Sequence, residues 1–233
     1  MTIKDNVQLI KDRIARAARR SGREPGSVRL MAVTKTVNDD RLDEAIATGI
    51  EMIGENYVQE AKAKIERLGR PVEWHMIGHL QTNKAKYAVK LFDMIHSVDS
   101  IDLALELDKR SRLLGRTAKI LIEVNLSGEK TKSGVTAATA TDLVEKIAGL
   151  GNLSIQGLMT MPPWFEDPEL ARPYYADLRK LRDRISRERI AGATLRELSM
   201  GMTDDYEIAV EEGATIVRIG RGIFGERPSR RPS

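Results

Sequence analysis

Apolar runs of strand character alternate with amphipathic helical stretches along almost the whole chain, and this alternation restricts the fold more than any other feature of the sequence. A first helix carries Ile3, Val7, Ile10, Ile14 and Ala17 at helical spacing and is stopped by Gly22 and Pro25. Strands are then predicted over 28–36, 50–53, 72–77, 93–98, 118–125, 153–159, 195–198 and 214–219. Helices are predicted between them, from 39–48, capped by Asn38 or Asp39 and closed by Gly49, to 203–212. The first run, Val28-Arg29-Leu30-Met31-Ala32-Val33, is apolar on both faces apart from Arg29, as a strand covered by helices on each side must be. Eight strand–helix cycles on 233 residues predict an α/β fold, a single closed (β/α)8 TIM barrel with an extra N-terminal helix over residues 1–227, followed by a disordered basic tail at 228–233. A doubly wound open sheet is the alternative. The turn after the first strand lacks the Gly-rich dinucleotide fingerprint, which counts against it.

Composition removes several function classes. There is no cysteine, so disulfides, iron–sulfur clusters and thiolate metal sites are excluded. No apolar run approaches the roughly 18 residues of a membrane helix, and residues 1–20 read as a charged amphipathic helix rather than a leader, so a cytoplasmic location is expected. The net charge of +4 is concentrated over 172–189, where seven Lys/Arg face three Asp/Glu, and in the tail. That segment also carries Tyr174, Leu178, Leu181 and Ile185 as a core-facing stripe, so its charges read as a solvated face and no nucleic-acid partner is expected. His75 and His79 are four apart but sit at a strand end, not on a helix, and no HExxH is present; no metal site is expected. A monomer is expected because no helix shows a surplus apolar face.

The chemistry starts at Lys35. An amine at the C-terminal end of a buried strand lies at the end of a parallel α/β fold where sites are built, and an amine leaving an apolar strand is poised to attack a carbonyl. In a barrel, the loops after the last two strands, Ser199-Met200-Gly201-Met202-Thr203-Asp204-Asp205 and Gly220-Arg221-Gly222, open onto the same face and suit a phosphate. Arg218 lies inside an otherwise apolar strand, and a buried charge needs a partner. Glu123 or Glu197 would be the structural partner, and a ligand acceptor at the barrel centre the functional one.

An amine, a phosphate cradle and an arginine between them describe a pyridoxal phosphate site. Six segments then carry a resemblance over nearly the whole chain: Ala32-Val33-Thr34-Lys35-Thr36, Gly54-Glu55-Asn56-Tyr57-Val58-Gln59-Glu60, the stretch 75–84 beginning His75-Met76-Ile77-Gly78-His79, Gly157-Leu158-Met159-Thr160-Met161, the 199–205 loop and Val217-Arg218-Ile219-Gly220. Together they closely resemble the pyridoxal phosphate homeostasis protein family. The resemblance implies a single-domain barrel of the alanine racemase type that holds pyridoxal 5'-phosphate (PLP) as a Schiff base on Lys35. It also implies that Ser199, Gly201 and Gly220 hold the phosphate, that Arg218 faces the pyridine nitrogen and that Asn56 lies beside the ring. Arg221 departs from the small hydroxyl residue expected there; it either adds a charge to the phosphate or points away.

An arginine does not release its proton, so a pyridine nitrogen facing Arg218 stays unprotonated and the ring is a weaker electron sink. Racemases of similar build add a second base through a further β domain and a dimer interface, for which this chain is expected to have no room. The expectation is therefore a PLP carrier serving intracellular PLP homeostasis and supplying apo-enzymes, with no residue assigned a catalytic role. A PLP-dependent amino-acid racemase, or a related enzyme of that fold, is the alternative. Lys84 and Lys132 are candidates for a lid or a secondary cofactor contact, and solvated loop lysines are the plainer account of both.

Overall fold

The computed structural model describes residues 1–129 and 132–226; the expected tail at 228–233 lies outside the described residues, as do Lys130 and Thr131 of the 127–134 loop. The chain begins with α1 (Ile3–Arg20), continues through β1 (Arg29–Val33), α2 (Asp39–Ala47), β2 (Met52–Glu55), α3 (Val58–Leu68), β3 (Glu73–Met76), α4 (Ala85–Leu91), β4 (Met94–Val98), α5 (Ile101–Leu113) and β5 (Ala118–Asn125), and then forms β6 (Val135–Thr136), α6 (Ala140–Ala148), β7 (Leu153–Met159), α7 (Arg172–Arg187), β8 (Ala193–Ser199), α8 (Tyr206–Glu211), β9 (Ile216–Ile219) and α9 (Arg221–Phe224).

Eight strands close into a ring in the order β1-β2-β3-β4-β5-β7-β8-β9, with the β4–β5 and β1–β9 pairings sealing it. Every pairing is parallel, which needs a crossover helix between neighbours and places all loops that follow strands at one mouth. The closed barrel expected from the alternation is the fold. Local signals set its helix ends. Thr2 and Asp5 form a reciprocal capping box on α1, and Asn38 and Ser100 cap α2 and α5 with their side chains. The stripe Ile3, Val7, Ile10, Ile14 and Ala17 is buried, and it packs α1 against α2, α8 and α9.

Two departures from the sequence reading concern length. β6, which pairs with 124–125, and α9 are too short to carry a periodic signal and were not expected. The strand expected to end at 198 runs on to Ser199, and the helix expected from 203 starts at Tyr206. On α7 the buried stripe is Tyr175, Leu178, Leu181 and Ile185; Tyr174 is only partly covered and lies against Phe165, ring centres 5.8 Å apart.

The main core lies between the strands and the helices, and smaller clusters fill the barrel itself: Met31, Met52, Ile77 and Ile216, and Met94, Leu121 and Met159. Glycine is obligatory at one place in that wall. A Cβ on Gly157 would stand 1.9 Å from the backbone oxygen of Glu197, where the β7–β8 register shifts. No helix among the described residues is long and apolar enough to cross a membrane.

Candidate functional site

Lys35 lies in a tight turn just beyond β1. The Val37 N–H donates to the Thr34 carbonyl at 3.0 Å, and Thr36, third in this four-residue turn, has φ +63°. That is a position for glycine, and a β-branched residue there stores strain. The surroundings hold it. Thr36 N–H donates to Glu60 Oε1 at 2.6 Å, and Lys64 Nζ donates to the Thr34 carbonyl at 2.6 Å. The same ammonium bonds Glu55 Oε1 and Glu60 Oε1, each at 2.7 Å, while the Thr34 hydroxyl donates to Glu55 Oε1 at 2.5 Å. Burial pushes Glu55 above the ordinary carboxylate range against the pull of Lys64. The lysine turn is thus gripped on both sides by a buried ionic cluster.

The turn opens on a cavity of about 600 Å³ at the C-terminal mouth of the barrel, within the size range of small-molecule sites. Lys35, Asn56, Arg218 and Gly220 all line it, so the closed ring brings together four of the six residues singled out in the sequence. Asn56 presents a buried Oδ1 with no hydrogen-bond partner among the described residues. Its backbone is pressed against Gly78, where a Cβ would come within 2.5 Å of the Asn56 oxygen, so the β2 and β3 loops interlock. Gly220 touches β1: a Cβ there would lie 3.4 Å from the Val33 carbonyl.

Ser199 and Gly201 lie behind the wall, and the 199–205 loop reaches the cavity through Met202, Thr203 and Asp204. The Ser199 hydroxyl is fully buried and turned into the barrel, where Arg218 Nη1 lies 2.7 Å and His96 Nδ1 2.9 Å away. Gly201 has φ +91°, and a Cβ would stand 2.5 Å from the Cβ of Ala209, so glycine seats the loop on α8. Thr203 joins the two loops by accepting from the Gly222 N–H at 3.2 Å.

Arg218 is buried and makes no ion pair among the described residues. Besides Ser199 it donates from Nη2 to the Thr160 carbonyl at 2.9 Å. Burial lowers its pKa, opposed by the charges of Tyr175, Asp205 and Glu123. Glu197, one of its two expected structural partners, instead accepts from Arg29 at 2.8 Å and from Thr215 at 2.5 Å. Glu123 is buried, and its carboxyl is pushed up to about 7 by burial and by Asp99. Arg221 lines the cavity and is paired with both oxygens of Asp204. Lys132 pairs with Glu129 at 2.9 Å, and Lys84 sits in the short turn before α4. Neither lysine lines the cavity.

Sequence reasoning passed over Trp164, three-quarters exposed at the rim, and the Lys64 cluster behind the turn. Trp164 stands in a loop with no periodicity to mark it. Lys64 left a trace, because it falls in the α3 stripe of Val58, Ala61 and Ile65, where an apolar residue belongs.

A strand-end lysine, a buried arginine and two loops meeting at one mouth define a barrel of the alanine racemase type, and the family model for the alanine racemase N-terminal domain matches residues 6–228. Similarity to individual proteins is finer. A pyridoxal phosphate homeostasis protein from Aquifex aeolicus is 44% identical over 224 residues, 96% of this chain and 97% of that protein. One from Vibrio cholerae is 37% identical over 231 residues, 97% of each chain. The solved structure of PipY from Synechococcus elongatus with PLP bound superposes with a TM-score of 0.81 at 38% identity, covering 93% of this chain and all of that one. The chain belongs to the pyridoxal phosphate homeostasis protein family.

Proposed function

We propose that this protein binds PLP in the mouth of its barrel, keeps it on Lys35 through a Schiff base, and serves intracellular PLP homeostasis by supplying the cofactor to apo-enzymes. The observation that carries this reading is the convergence of Lys35, Asn56, Arg218 and Gly220 on one cavity. The donor set suits the group. An amine meets an aldehyde, a guanidinium meets a ring nitrogen, and the unpartnered Asn56 Oδ1 awaits a polar neighbour. Bound PLP supplies an electrophilic aldehyde and an electron-withdrawing ring.

The residues of the chain favour holding over turnover. Arg218 would donate to the pyridine nitrogen without protonating it, which would keep the ring a modest electron sink. The carboxylates in the wall, Asp204 and Glu226, both face Arg221, Asp204 through both of its oxygens and Glu226 at 3.5 Å, and so are poor candidates for a second base. Gly220 and the loop segment at Met202 and Thr203 would hold the phosphate, with Gly201 and Ser199 supporting them from behind. We read the protein as a cytoplasmic monomer that meets recipient apo-enzymes transiently.

The test is the visible spectrum of the purified protein after adding PLP and removing the excess. Wild type retains an absorption band that Lys35→Ala lacks, and the loaded protein restores activity to an apo-enzyme without racemising amino acids. Absence of the band from wild type overturns the cofactor assignment, and sustained amino-acid turnover overturns the carrier role.

A further inference from the structure

The arginine beneath the cavity is held by neutral acceptors, and one of them is the end of a longer chain. Ser199 Oγ lies 2.7 Å from Arg218 Nη1 and 2.9 Å from His96 Nδ1. His96 Nε2 is 2.8 Å from His75 Nδ1, and His75 Nε2 is 3.2 Å from Glu73 Oε2. These groups come from β9, β8, β4 and β3, so the chain crosses the barrel interior. Ser199, His96 and His75 are buried, and the Glu73 side chain is 53% exposed at the start of β3, on the face opposite the cavity.

The direction of every bond follows from its two ends. Arginine only donates, so the Ser199 oxygen accepts from Arg218; a carboxylate only accepts, so Glu73 takes the His75 Nε2 proton, and with both imidazoles neutral the Ser199 proton goes to His96 Nδ1. His96 must then carry its proton on Nε2 and give it to His75 Nδ1. His75 in turn carries a proton on Nε2 and donates to the Glu73 carboxylate. Burial holds both imidazoles below their ordinary pKa and so keeps them neutral. The other charges that bear on the chain are consistent with this order: Arg29, 3.6 Å from Glu73, and Lys119 stabilise the carboxylate, while Arg29 and Arg218 oppose a proton on His96 and Asp93 acts weakly on His75.

We propose that Ser199, His96, His75 and Glu73 are positioning residues for Arg218: a one-way hydrogen-bond relay that carries the influence of a carboxylate at one end of the barrel to the acceptor gripping the guanidinium at the other. Each neutral link made more basic by the next is a stronger acceptor for the one before it. A carboxylate in direct contact would neutralise the arginine and compete for the N–H groups it presents to a ligand. The relay fixes the side chain while leaving its positive charge directed at the cavity. The proposal rests on the PLP reading only for what Arg218 faces.

The test has two parts that fail separately. Long-range proton–nitrogen spectra of the cofactor-free protein show His96 and His75 neutral with the proton on Nε2 between about pH 7 and 8. In Glu73→Gln, whose neutral amide is a weaker acceptor at an exposed site, the His96 Nδ1 resonance moves although two hydrogen bonds separate it from the substitution. A proton on Nδ1 of either ring, an imidazolium in that pH range, or an unmoved His96 signal overturns the relay. With PLP, Ser199→Ala weakens retention about tenfold, the worth of one lost charge-assisted bond, and Glu73→Gln about threefold. Wild-type affinity in Ser199→Ala overturns the positioning role. A wild-type protein that binds no PLP overturns the function proposed above and leaves the tautomer result to stand by itself.

Discussion

Replacing Lys64 by methionine removes the cation that holds the lysine turn, and the structure sets the size of the loss. The Lys64 and Glu55 side chains are 7% and 0% exposed, and the ammonium makes charge-assisted bonds to Glu55, Glu60 and the Thr34 carbonyl. Lys64→Met leaves Glu55 as a buried carboxylate whose remaining donor is the Thr34 hydroxyl, and removing one partner of such a pair costs about 3–5 kcal/mol. Adding Glu55→Gln removes the stranded charge and brings the loss back to about 1–2 kcal/mol. The pH dependence has a definite sign. Glu55 already has a raised folded pKa, and without Lys64 it rises further, so the folded variant holds its proton more tightly than the unfolded chain. Its stability therefore falls as pH rises through that folded value, and the penalty shrinks toward about pH 5. Urea denaturation of wild type, both single variants and the double variant at pH 5 and pH 8 measures each quantity. A Lys64→Met loss below about 1 kcal/mol at pH 8, or an equal loss with and without Glu55→Gln, refutes the reasoning.

Gly157→Ala drives a Cβ into the Glu197 backbone and destabilises by more than about 4 kcal/mol, seen as lost soluble yield or an early denaturation midpoint, whereas Gly26→Ala, with open space around it, leaves the midpoint unchanged. Glu123 is held at about 7 against an ordinary 4.5, so its stabilisation is complete below the lower value and lost as pH rises through the upper. Glu123→Gln accordingly flattens the stability curve between those values and gains up to roughly 3 kcal/mol above them, read by denaturation across pH. Asp204→Asn costs less than about 1 kcal/mol, because the pair with Arg221 is half exposed, and it tightens PLP retention at low ionic strength by freeing a cation at the mouth. Weaker retention in a binding titration would show that Asp204 holds the cofactor rather than the arginine.

The sequence by itself determined the class of architecture. Strand runs alternating with amphipathic helices fit a helix-covered parallel sheet, but whether that sheet closes or stays open and doubly wound was decided only by the β4–β5 pairing. It also determined where the amine stands, because a lysine just past such a strand emerges at the mouth. Arg218 was conspicuous for the same physical reason: a charge inside an apolar run demands an explanation. Which group answers that charge was not legible. Glu123 and Glu197 were equally plausible in one dimension, yet Glu197 points to Arg29 near the opposite end, and Arg218 is held by a serine from β8 and a carbonyl beyond β7.

Only the closed barrel made those contacts, since they join residues distant in the chain through the interior. His75, noticed in the sequence for its spacing from His79, finds its partner in His96 on the neighbouring strand, and the helical spacing played no part. Ser199 was expected at the start of a loop. One residue of additional strand turns its hydroxyl inward, because strand side chains alternate between faces. The sequence set which chemical groups the chain carries and which end of the barrel they occupy; the direction each side chain takes, and so its partner, was decided by strand register and ring closure.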